Sequence, residues 1–517
     1  MKRIFLLPAA AIVLIAASCT KTVKINHDLP LYEVKMDDKR QVLDGIGSSM
    51  TESSAYVLAC LDPADRKQVL ADLYGEQGAN FSLARTHIGA CDFTLDGHYS
   101  LVSQENDTLL QTFSLDVNKD GFSSVEYPDI VDENFDLYQM IMEVDSIKKS
   151  QSDSTLRLMA TAWTAPYWMK DNQKYFDKPN KYGGALLKKY YNLYSEYLLK
   201  YLQAYKEAGV DVWAISPENE PMGNDGSWES MHFTPQEEAE LIGQYLGPIL
   251  ETNGFGDVKI LGFDQNVFEV GPWTEAIYGD SSAKKYTYGM ALHWYGSTYT
   301  PFPEVLDSIH ALYPDKVLIH TEGCIDNLGC DAWPGVSDPA GFKESGWFKN
   351  DSFWWNANAT DWAYSTPFWP EWHPKYITVH RYARFIIEGF NHWLTGFTDW
   401  NVVLDSQGGP THVGNYCGAP VMIDTKTKEV YYTPVYDVLC LLSRAFRPGD
   451  RIVYVEQSAE LADKVFVCAA EKPDGRIMLG TLNTTEEPVE FNVKLGGKYC
   501  TLSLNPKAVQ TALVSIK

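Results

Sequence analysis

The sequence lacks the patterns by which proteins commonly hold metals or bind nucleic acids. Its eleven histidines form no HxxxH or HxH pair and its nine cysteines form no CxxC pair, which argues against a zinc or iron–sulfur site. Lys and Arg number 43 against 68 Asp and Glu, so the formal net charge is -25. A phosphate backbone attracts basic surfaces, so this acidic balance argues against a nucleic-acid partner and favours a neutral substrate. We also expect no cofactor.

Long apolar runs are also missing after the N-terminus. Two basic residues precede an apolar run over residues 4–17, which is too short to span a bilayer as a stable helix and is typical of an export signal. Small residues directly before Cys19 resemble the lipobox of bacterial lipoproteins. We therefore predict a signal peptide over residues 1–19 and an exported protein, tethered to a membrane through lipidated Cys19, at the cell surface or in the periplasm. The alternative is a plain secretory signal that is cleaved nearby.

The eight cysteines that remain after Cys19 are spread along the chain. An exported protein can oxidise some of them, and Cys324 with Cys330 is one candidate pair. We expect mostly reduced, buried thiols.

Eight short apolar segments recur along the chain with helical patterns in most of the gaps between them. The clearest helical pattern runs from Gly184 to Ala208, where Tyr and Leu repeat at helical spacing. Eight strands that alternate with helices predict an α/β fold of the (β/α)₈ TIM-barrel type over residues 41–447. The predicted strands are Val42–Ser48, Phe81–Thr86, Leu156–Thr161, Val212–Ser216, Lys259–Phe263, Tyr288–His293, Val317–Thr321 and Leu394–Thr398.

The two ends of the chain have a different pattern from the middle. Residues 20–40 and 448–517 contain short alternating segments separated by turn residues, such as the Pro-Asp-Gly sequence that ends at Gly475. A small side β-sandwich built from both termini fits this pattern. We therefore predict an N-terminal strand within residues 20–40 and a C-terminal β-sandwich over residues 448–517.

Two of the predicted barrel strands lead into glutamates. Val212–Ser216 is followed by Glu220, and Val317–Thr321 by Glu322. An unpaired buried charge is costly, so a packed strand has no structural need for a carboxylate at its end. In a barrel the carboxyl ends of the strands meet at one face, where active sites lie. Glycoside hydrolases use such a pair of carboxylates, one as the acid and one as the nucleophile.

A long Trp-rich segment, Asp331–Trp372, separates the last two predicted strands. It contains seven tryptophans together with many Gly, Pro, Asp and Asn residues. This is too long and aromatic for an ordinary loop, and its position after Glu322 suggests a wall or lid of a substrate cleft. The alternative is a loop that packs on itself around a small core of its own.

Several segments together resemble glycoside hydrolase family 30, which includes glucosylceramidases and β-1,6-glucanases. They run in family order across nearly the whole chain, and the ordered set is highly specific although each segment alone is weak. The segments are Gly45–Ala55, Arg85–Phe93, Ala160–Lys170, Ile215–Pro221, His293–Tyr295, Thr321–Cys324, Gly396–Asn401, Gln407–Pro410 and Gly414–Tyr416.

The resemblance implies a retaining mechanism through a covalent glycosyl-enzyme. Glu220, in the Asn-Glu-Pro motif, then acts as the general acid/base, and Glu322 as the nucleophile. A retaining pair requires the two carboxyl groups to lie about 5–5.5 Å apart.

The resemblance also implies which residues hold the sugar. Asn219 matches the asparagine that binds the 2-hydroxyl, three positions match those that hold the terminal sugar, and two match a pair near the nucleophile. Arg85 is placed to orient Glu322 or Asn219. The predicted substrate-binding residues are Asp92, Trp163, Asn219, His293, Tyr295 and Trp400.

The chain departs from the family pattern at Glu218, where a neutral residue is more usual before the Asn-Glu pair. If Glu218 points into the site it raises the pKa of Glu220; we expect the strand end to turn it away.

For the substrate we expect a β-glucan, with endo-β-1,6-glucanase activity as the first choice. The alternative in the same class is a glucosylceramidase or β-glucosidase. A non-catalytic glycan-binding lipoprotein is the remote alternative, which the presence of both glutamates disfavours.

Overall fold

The structure is a computed structural model that describes residues 25–95, 97–177, 183–224, 226–297, 300–325, 341, 344–355 and 377–515. The predicted signal peptide with Cys19, residue Cys330, and most of the Trp-rich segment lie outside the described residues.

Eight parallel strands form a closed barrel after a first strand, β1 (Leu31–Val42), that belongs to a separate sheet. Each barrel strand pairs with the next, and the last pairs with the first. This confirms the predicted barrel. The barrel strands are β2 (Gly45–Met50), β3 (Leu83–Ile88), β4 (Arg157–Ala162), β5 (Val212–Ser216), β6 (Lys259–Asn266), β7 (Thr287–His293), β8 (Val317–Glu322) and β9 (Leu394–Asp399).

The strand boundaries differ most from the prediction at β2 and β6. The first barrel strand begins at Gly45 rather than Val42, because Val42 pairs with Arg451 in the other sheet. Strand β6 continues past Phe263 to Asn266 through an irregularity in its pairing with β7. This extension places Asp264 at the carboxyl end of the barrel.

Helices fill most of the connections between the barrel strands. None of those within the described ranges is long and apolar enough to cross a bilayer. The α-helices are Glu52–Ala59, Pro63–Tyr74, Leu137–Lys149, Tyr191–Glu207, Pro235–Glu240, Gly247–Thr252, Gly271–Gly279, Ser281–Tyr286, Pro303–Leu312, Asp351–Trp355, Thr378–Asn391 and Pro434–Ala445, with a π-helical turn at Leu241–Leu246. Short 3₁₀ turns are Asp116–Asn118, Tyr167–Met169, Lys188–Tyr190, Val267–Glu269, Trp347–Lys349 and Ala459–Leu461.

The helix predicted from Gly184 begins seven residues later, at Tyr191. Before it, Ala185 and Leu186 are extended, because they form bridges with His232 and Lys170, and Lys188–Tyr190 form a 3₁₀ turn. Within the helix the predicted apolar face is correct, since its Tyr and Leu side chains are buried in the barrel core.

The second domain is a seven-stranded sheet in the order β17-β16-β1-β13-β14-β15-β18. All seven strands contribute to a separate apolar core, and β1 brings the N-terminal part of the chain into it, as the predicted side β-sandwich requires. The strands are β13 (Arg451–Glu456), β14 (Val465–Glu471), β15 (Ile477–Asn483), β16 (Val489–Leu495), β17 (Lys498–Leu504) and β18 (Val509–Val514); a small sheet at the barrel rim contains β10 (Val403–Asp405), β11 (Val421–Asp424) and β12 (Glu429–Tyr432).

The described part of the Trp-rich segment forms a small aromatic cluster. Trp347, Phe353 and Trp354 are buried and contact one another at ring-centroid distances of 4.7 to 5.7 Å. The Trp354 indole N–H donates to the Phe348 carbonyl at 2.8 Å. These residues pack on one another but belong to the same apolar core as the barrel, and Phe348 beside them contacts Tyr431 of β12 at 5.6 Å. The second interpretation, a small core of the segment's own, does not hold for them. The wall or lid role concerns tryptophans that lie outside the described residues.

Gly47 provides a test of the barrel packing. A Cβ added there overlaps the backbone carbonyl of Leu83 on the paired strand. We expect Gly47→Ala to lower the midpoint of thermal unfolding by at least about 3 °C or to abolish soluble expression, because backbone cannot move aside as a flexible side chain can. The control is Gly279→Ala at a helix end, where nothing lies within 4 Å of the added atom. Equal behaviour of the two variants in thermal melts contradicts this account.

Candidate active site

Charged and polar side chains from five barrel strands converge at the carboxyl end of the barrel. Some end a strand, some lie within it, and some follow it by a few residues. They are Arg85 on β3, Asn219 and Glu220 after β5, Asp264 on β6, His293 on β7 and Glu322 on β8.

The two predicted catalytic glutamates face each other across this site. Glu322 ends β8, whereas Glu220 lies four residues beyond β5, in a left-handed backbone conformation with φ of 51°. The Glu220 backbone N–H donates to the Asp264 carbonyl at 3.0 Å, which fixes this turn. A carboxylate oxygen of Glu220 and one of Glu322 lie within 4.8 Å of each other. Such a separation suits a retaining pair, because an inverting pair needs about 6.5–9.5 Å.

Arg85 is fully buried beneath the glutamates; its Nε donates to Thr161 Oγ1 at 3.3 Å, and its two Nη atoms donate to three further side chains. Its Nη1 donates to Glu322 Oε2 at 2.5 Å, and its Nη2 donates to Asn219 Oδ1 at 2.7 Å and to Asp264 Oδ2 at 3.0 Å. The guanidinium therefore orients both of the residues suggested for it from the sequence. Its rigid fork of donors suits this task, since one cation holds three acceptors in fixed positions.

Asp264 belongs to the site but is absent from the sequence prediction. Its two oxygens also accept from Thr321 Oγ1 at 2.6 Å and from Thr161 Oγ1 at 3.1 Å. Burial raises the pKa of Asp264, but Arg85, His293 and the hydroxyl donors lower it well below its usual range. Asp264 is thus a permanent anion at the base of the site. The signal that identified the two glutamates, an apolar strand that stops at a carboxylate, applies here too.

His293 lies between Asp264 and the catalytic pair. Its Nε2 is 2.9 Å from Asp264 Oδ1, and its Nδ1 is 3.2 Å from Glu220 Oε1 and 3.9 Å from Glu322 Oε1. Burial lowers the pKa of His293, but Glu322, Asp264 and Glu220 outweigh that effect and raise it to about 9. The ring is therefore a cation at neutral pH, and both of its nitrogens donate.

Glu220 and Glu322 have different surroundings. Burial and the charge of Glu322 raise the pKa of Glu220, against the lowering effect of His293 and Arg85. Glu322 instead accepts from Arg85 and, at 3.0 Å, from the Tyr295 hydroxyl. Hydrogen bonds and a cation favour an ionised carboxylate, so the surroundings of Glu322 suit a nucleophile, whereas those of Glu220 suit an acid that keeps its proton.

The residues predicted to hold the terminal sugar lie beside the glutamates. Asp92 is buried and accepts from Asn415 Nδ2 at 3.0 Å; burial, followed by the charge of Glu322, raises the pKa of Asp92 to about 8. The rings of Trp163 and Trp400 stack on each other at 5.2 Å. The sequence suggested that each indole covers a sugar face, whereas the structure uses one face of each ring for this mutual contact.

Glu218 turns away from the site, as expected. It is buried; burial raises its pKa and Lys170 lowers it. Lys170 in turn donates to the backbone carbonyls of Ser230 and Tyr175. The groups with the largest effects on the pKa of Glu220 are instead His293 and Glu322.

A second titratable cluster lies next to the site, where no sequence pattern pointed to it. Glu229 Oε1 is 2.6 Å from His98 Nδ1, and Glu229 Oε2 is 3.2 Å from His412 Nε2. This cluster and the group of Glu220, His293 and Glu322 each bring three possible metal-ligating atoms within 4.8 Å. In both groups a carboxylate oxygen lies 2.6 to 3.2 Å from a histidine nitrogen.

Comparison with known proteins bears out the family resemblance. The glycosyl hydrolase family 30 TIM-barrel domain matches residues 43–338 and 373–446, and the family 30 beta sandwich domain matches residues 451–512.

Relatives of known name cover most of the chain. Lysosomal acid glucosylceramidase of Mus musculus is 26% identical over 468 residues, which are 90% of this chain and 79% of that protein. Endo-1,6-beta-D-glucanase of Neurospora crassa is 22% identical over 428 residues, which are 81% of this chain and 74% of that protein.

The fold also matches solved structures. SrfJ from Salmonella typhimurium superimposes with a TM-score of 0.75 at 26% identity, covering 94% of this chain and 93% of that one. With both domains matched and the paired carboxylates in place, the chain belongs to glycosyl hydrolase family 30 and is a retaining glycoside hydrolase.

Proposed function

We propose that the protein is an endo-β-1,6-glucanase in which Glu220 is the general acid/base and Glu322 the nucleophile. The observation that carries the assignment of these two residues is their approach to within 4.8 Å at the ends of two barrel strands. Their different surroundings assign the roles, because an acid must hold a proton at working pH and a nucleophile must not.

In the first step, Glu220 donates its proton to the glycosidic oxygen as the bond to the anomeric carbon breaks. A carboxylate oxygen of Glu322, held by Arg85 and Tyr295, attacks that carbon from the opposite face and forms a glycosyl ester. The ester carries no negative charge. Since the charge of Glu322 is one of the causes that raise the pKa of Glu220, that pKa falls in the intermediate.

In the second step, Glu220 acts as the base. It takes a proton from water, whose oxygen attacks the anomeric carbon and releases Glu322 as a carboxylate. The fall in the pKa of Glu220 after the first step suits this task. Two inversions at the same carbon give net retention.

Neighbouring residues position the sugar. Arg85 donates to the side-chain oxygen of Asn219. The amide NH₂ group of Asn219 is then available to donate to the sugar 2-hydroxyl. Asp92, with a pKa of about 8, is protonated at neutral pH and can both donate to and accept from sugar hydroxyls. The Trp163–Trp400 stack adds a flat apolar wall of the kind that packs against sugar rings.

The choice of a neutral glucan rests on three supports. The net charge of -25 disfavours acidic polymers, since like charges repel. The predicted export signal and the predicted lipidation of Cys19 would bring the enzyme to where polysaccharides occur, and mass spectrometry of the mature N-terminus tests this location. The Neurospora crassa relative is named for β-1,6-glucan. The mouse relative, named for glucosylceramide, supports a glucosylceramidase as the second candidate.

A product profile distinguishes the two candidates. We expect the purified protein to release a ladder of oligosaccharides from β-1,6-glucan and little from β-1,3-glucan, xylan or glucosylceramide, followed over time by chromatography. Cleavage of glucosylceramide alone would establish the second candidate in its place.

Replacing each glutamate tests its role. Glu322→Ala should lower kcat by at least about 10³-fold on every substrate, because both chemical steps need the nucleophile. Glu220→Gln should slow substrates with poor leaving groups by about 10²–10⁴-fold and activated aryl glucosides far less in the first step. Steady-state and burst kinetics on both substrate types measure these effects. Substantial residual turnover by Glu322→Ala, or equal losses for Glu220→Gln, overturns the assignment.

The charge of His293 should control the alkaline limb of activity. His293 lowers the pKa of Glu220, so removal of its charge in His293→Gln should raise that pKa further. The loss of kcat/KM at high pH, which follows loss of the Glu220 proton, should then move upward by about one pH unit. Tyr295→Phe is the control, because it removes a hydroxyl from Glu322 and leaves the His293 charge in place. A pH–rate profile whose alkaline limb stays or moves downward in His293→Gln is inconsistent with this role.

A further inference from the structure

A pocket of about 530 Å³ lies at the carboxyl end of the barrel, outside the catalytic group. Aromatic rings form its walls: His98 from the loop after β3, and Tyr167, Tyr175 and Phe176 from the loop after β4. Each of these side chains is half-buried or exposed. Polar side chains at its edge, such as Gln173, offer hydrogen bonds beside the apolar rings.

The ring of His98 is held rigidly in this pocket. Glu229, whose side chain has no exposure, accepts from the His98 backbone N–H at 2.6 Å and lies 2.6 Å from its Nδ1. The ring stacks on Phe176 at 4.6 Å with an interplanar angle of 17°. The rings of His98 and Phe176 therefore form an apolar surface that is already ordered. Less conformational freedom is lost when a ligand binds to such a surface.

One loop, which contains His412, connects a residue of the pocket with the residues beside the reacting sugar. The edge of the His412 ring contacts His98 at 5.1 Å. The next residue back along the chain, Thr411, donates to the Asp92 carbonyl at 2.7 Å, and Asn415 donates to the Asp92 carboxyl at 3.0 Å. One loop therefore borders both the pocket and Asp92.

We propose that this pocket is a second sugar-binding subsite, which holds the glucosyl unit on the non-reducing side of the unit at Asp92. The proposal rests on the proposed function and adds a subsite to it. A glucosyl unit has an apolar ring face and a rim of hydroxyls, which match flat rings with polar groups at their edge.

The position of the pocket gives the direction of the chain. The leaving group must lie against Glu220, which protonates it, whereas the loop that contacts His98 of the pocket also holds Asp92. A β-1,6 linkage contains an additional rotatable C5–C6 bond, so successive units can turn out of line. Such a turn would bring the preceding unit from the buried sugar site to the pocket, and a chain bound in this way would be cleaved internally.

Two aryl substrates with the same leaving group test the subsite. 4-Nitrophenyl β-gentiobioside has one more 1,6-linked glucosyl unit on the non-reducing side than 4-nitrophenyl β-glucoside. We expect the wild-type kcat/KM to be at least about tenfold higher for the gentiobioside, as an aromatic contact of ordinary strength provides. A ratio near one for every disaccharide tested, the 4-nitrophenyl laminaribioside and cellobioside included, overturns the proposal.

Substitutions in the pocket test whether its residues cause the preference for the gentiobioside. Phe176→Ala and His98→Ala should each lower the gentiobioside-to-glucoside ratio of kcat/KM at least about fivefold. Both substrates are measured on one preparation, so any misfolded fraction cancels in the ratio. Tyr499→Ala, a half-buried aromatic residue of the distant sheet that contacts His27, is the matched control and should keep the wild-type ratio. An unchanged ratio in both pocket variants overturns the subsite.

The experiments give different results when the proposed linkage is wrong and when the proposed subsite is wrong. If the wild type prefers the 4-nitrophenyl laminaribioside or cellobioside and gives no ladder from β-1,6-glucan, the linkage is wrong. Phe176→Ala must then lower the ratio for the preferred disaccharide, or the subsite fails as well.

Discussion

Arg85 places a full positive charge at the centre of the barrel, where none of its side chain reaches solvent. Burial of such a charge is tolerated only when partners compensate it, and Glu322, Asp264 and Asn219 do so. Removal of one partner from a buried pair typically costs about 3–5 kcal/mol. The nucleophile is therefore also a structural partner of the residue that orients it, in a site with little access to water.

The same constraint decides where the catalytic proton resides. Arg85 and His293 are cations, whereas Asp264 and Glu322 are anions, so these four charges cancel. If Glu220 were also negatively charged, both nearby cations would already be balanced by other anions. The pKa of Glu220 is raised accordingly. Glycosylation of Glu322 removes one anion and leaves an excess positive charge. Charge balance alone then favours an ionised Glu220, which is the base that the second step needs.

The sequence was sufficient for the barrel and for both glutamates, because strand periodicity and strand-end carboxylates are local signals. Asp264 carries the same signal, because the strand predicted over Lys259–Phe263 stops directly before it, but it lies in none of the segments that resemble the family. Both residues adopt positive φ, 75° at Phe263 and 59° at Asp264, within an irregular pairing with β7 that no periodicity reveals. The cluster of His98, Glu229 and His412 was beyond prediction for another reason. Its members come from three loops far apart in the chain, and only the closed barrel brings them together.

The central claim is that Glu322 forms a covalent bond to the sugar. The most direct measurement uses a 2-deoxy-2-fluoro-β-glucosyl fluoride, which slows both steps but the second more, followed by intact mass and peptide mass spectrometry. The account predicts one 2-fluoroglucosyl group per protein molecule, attached to Glu322. A label on any other residue, or turnover of this reagent by a protein that never acquires a label, would contradict it.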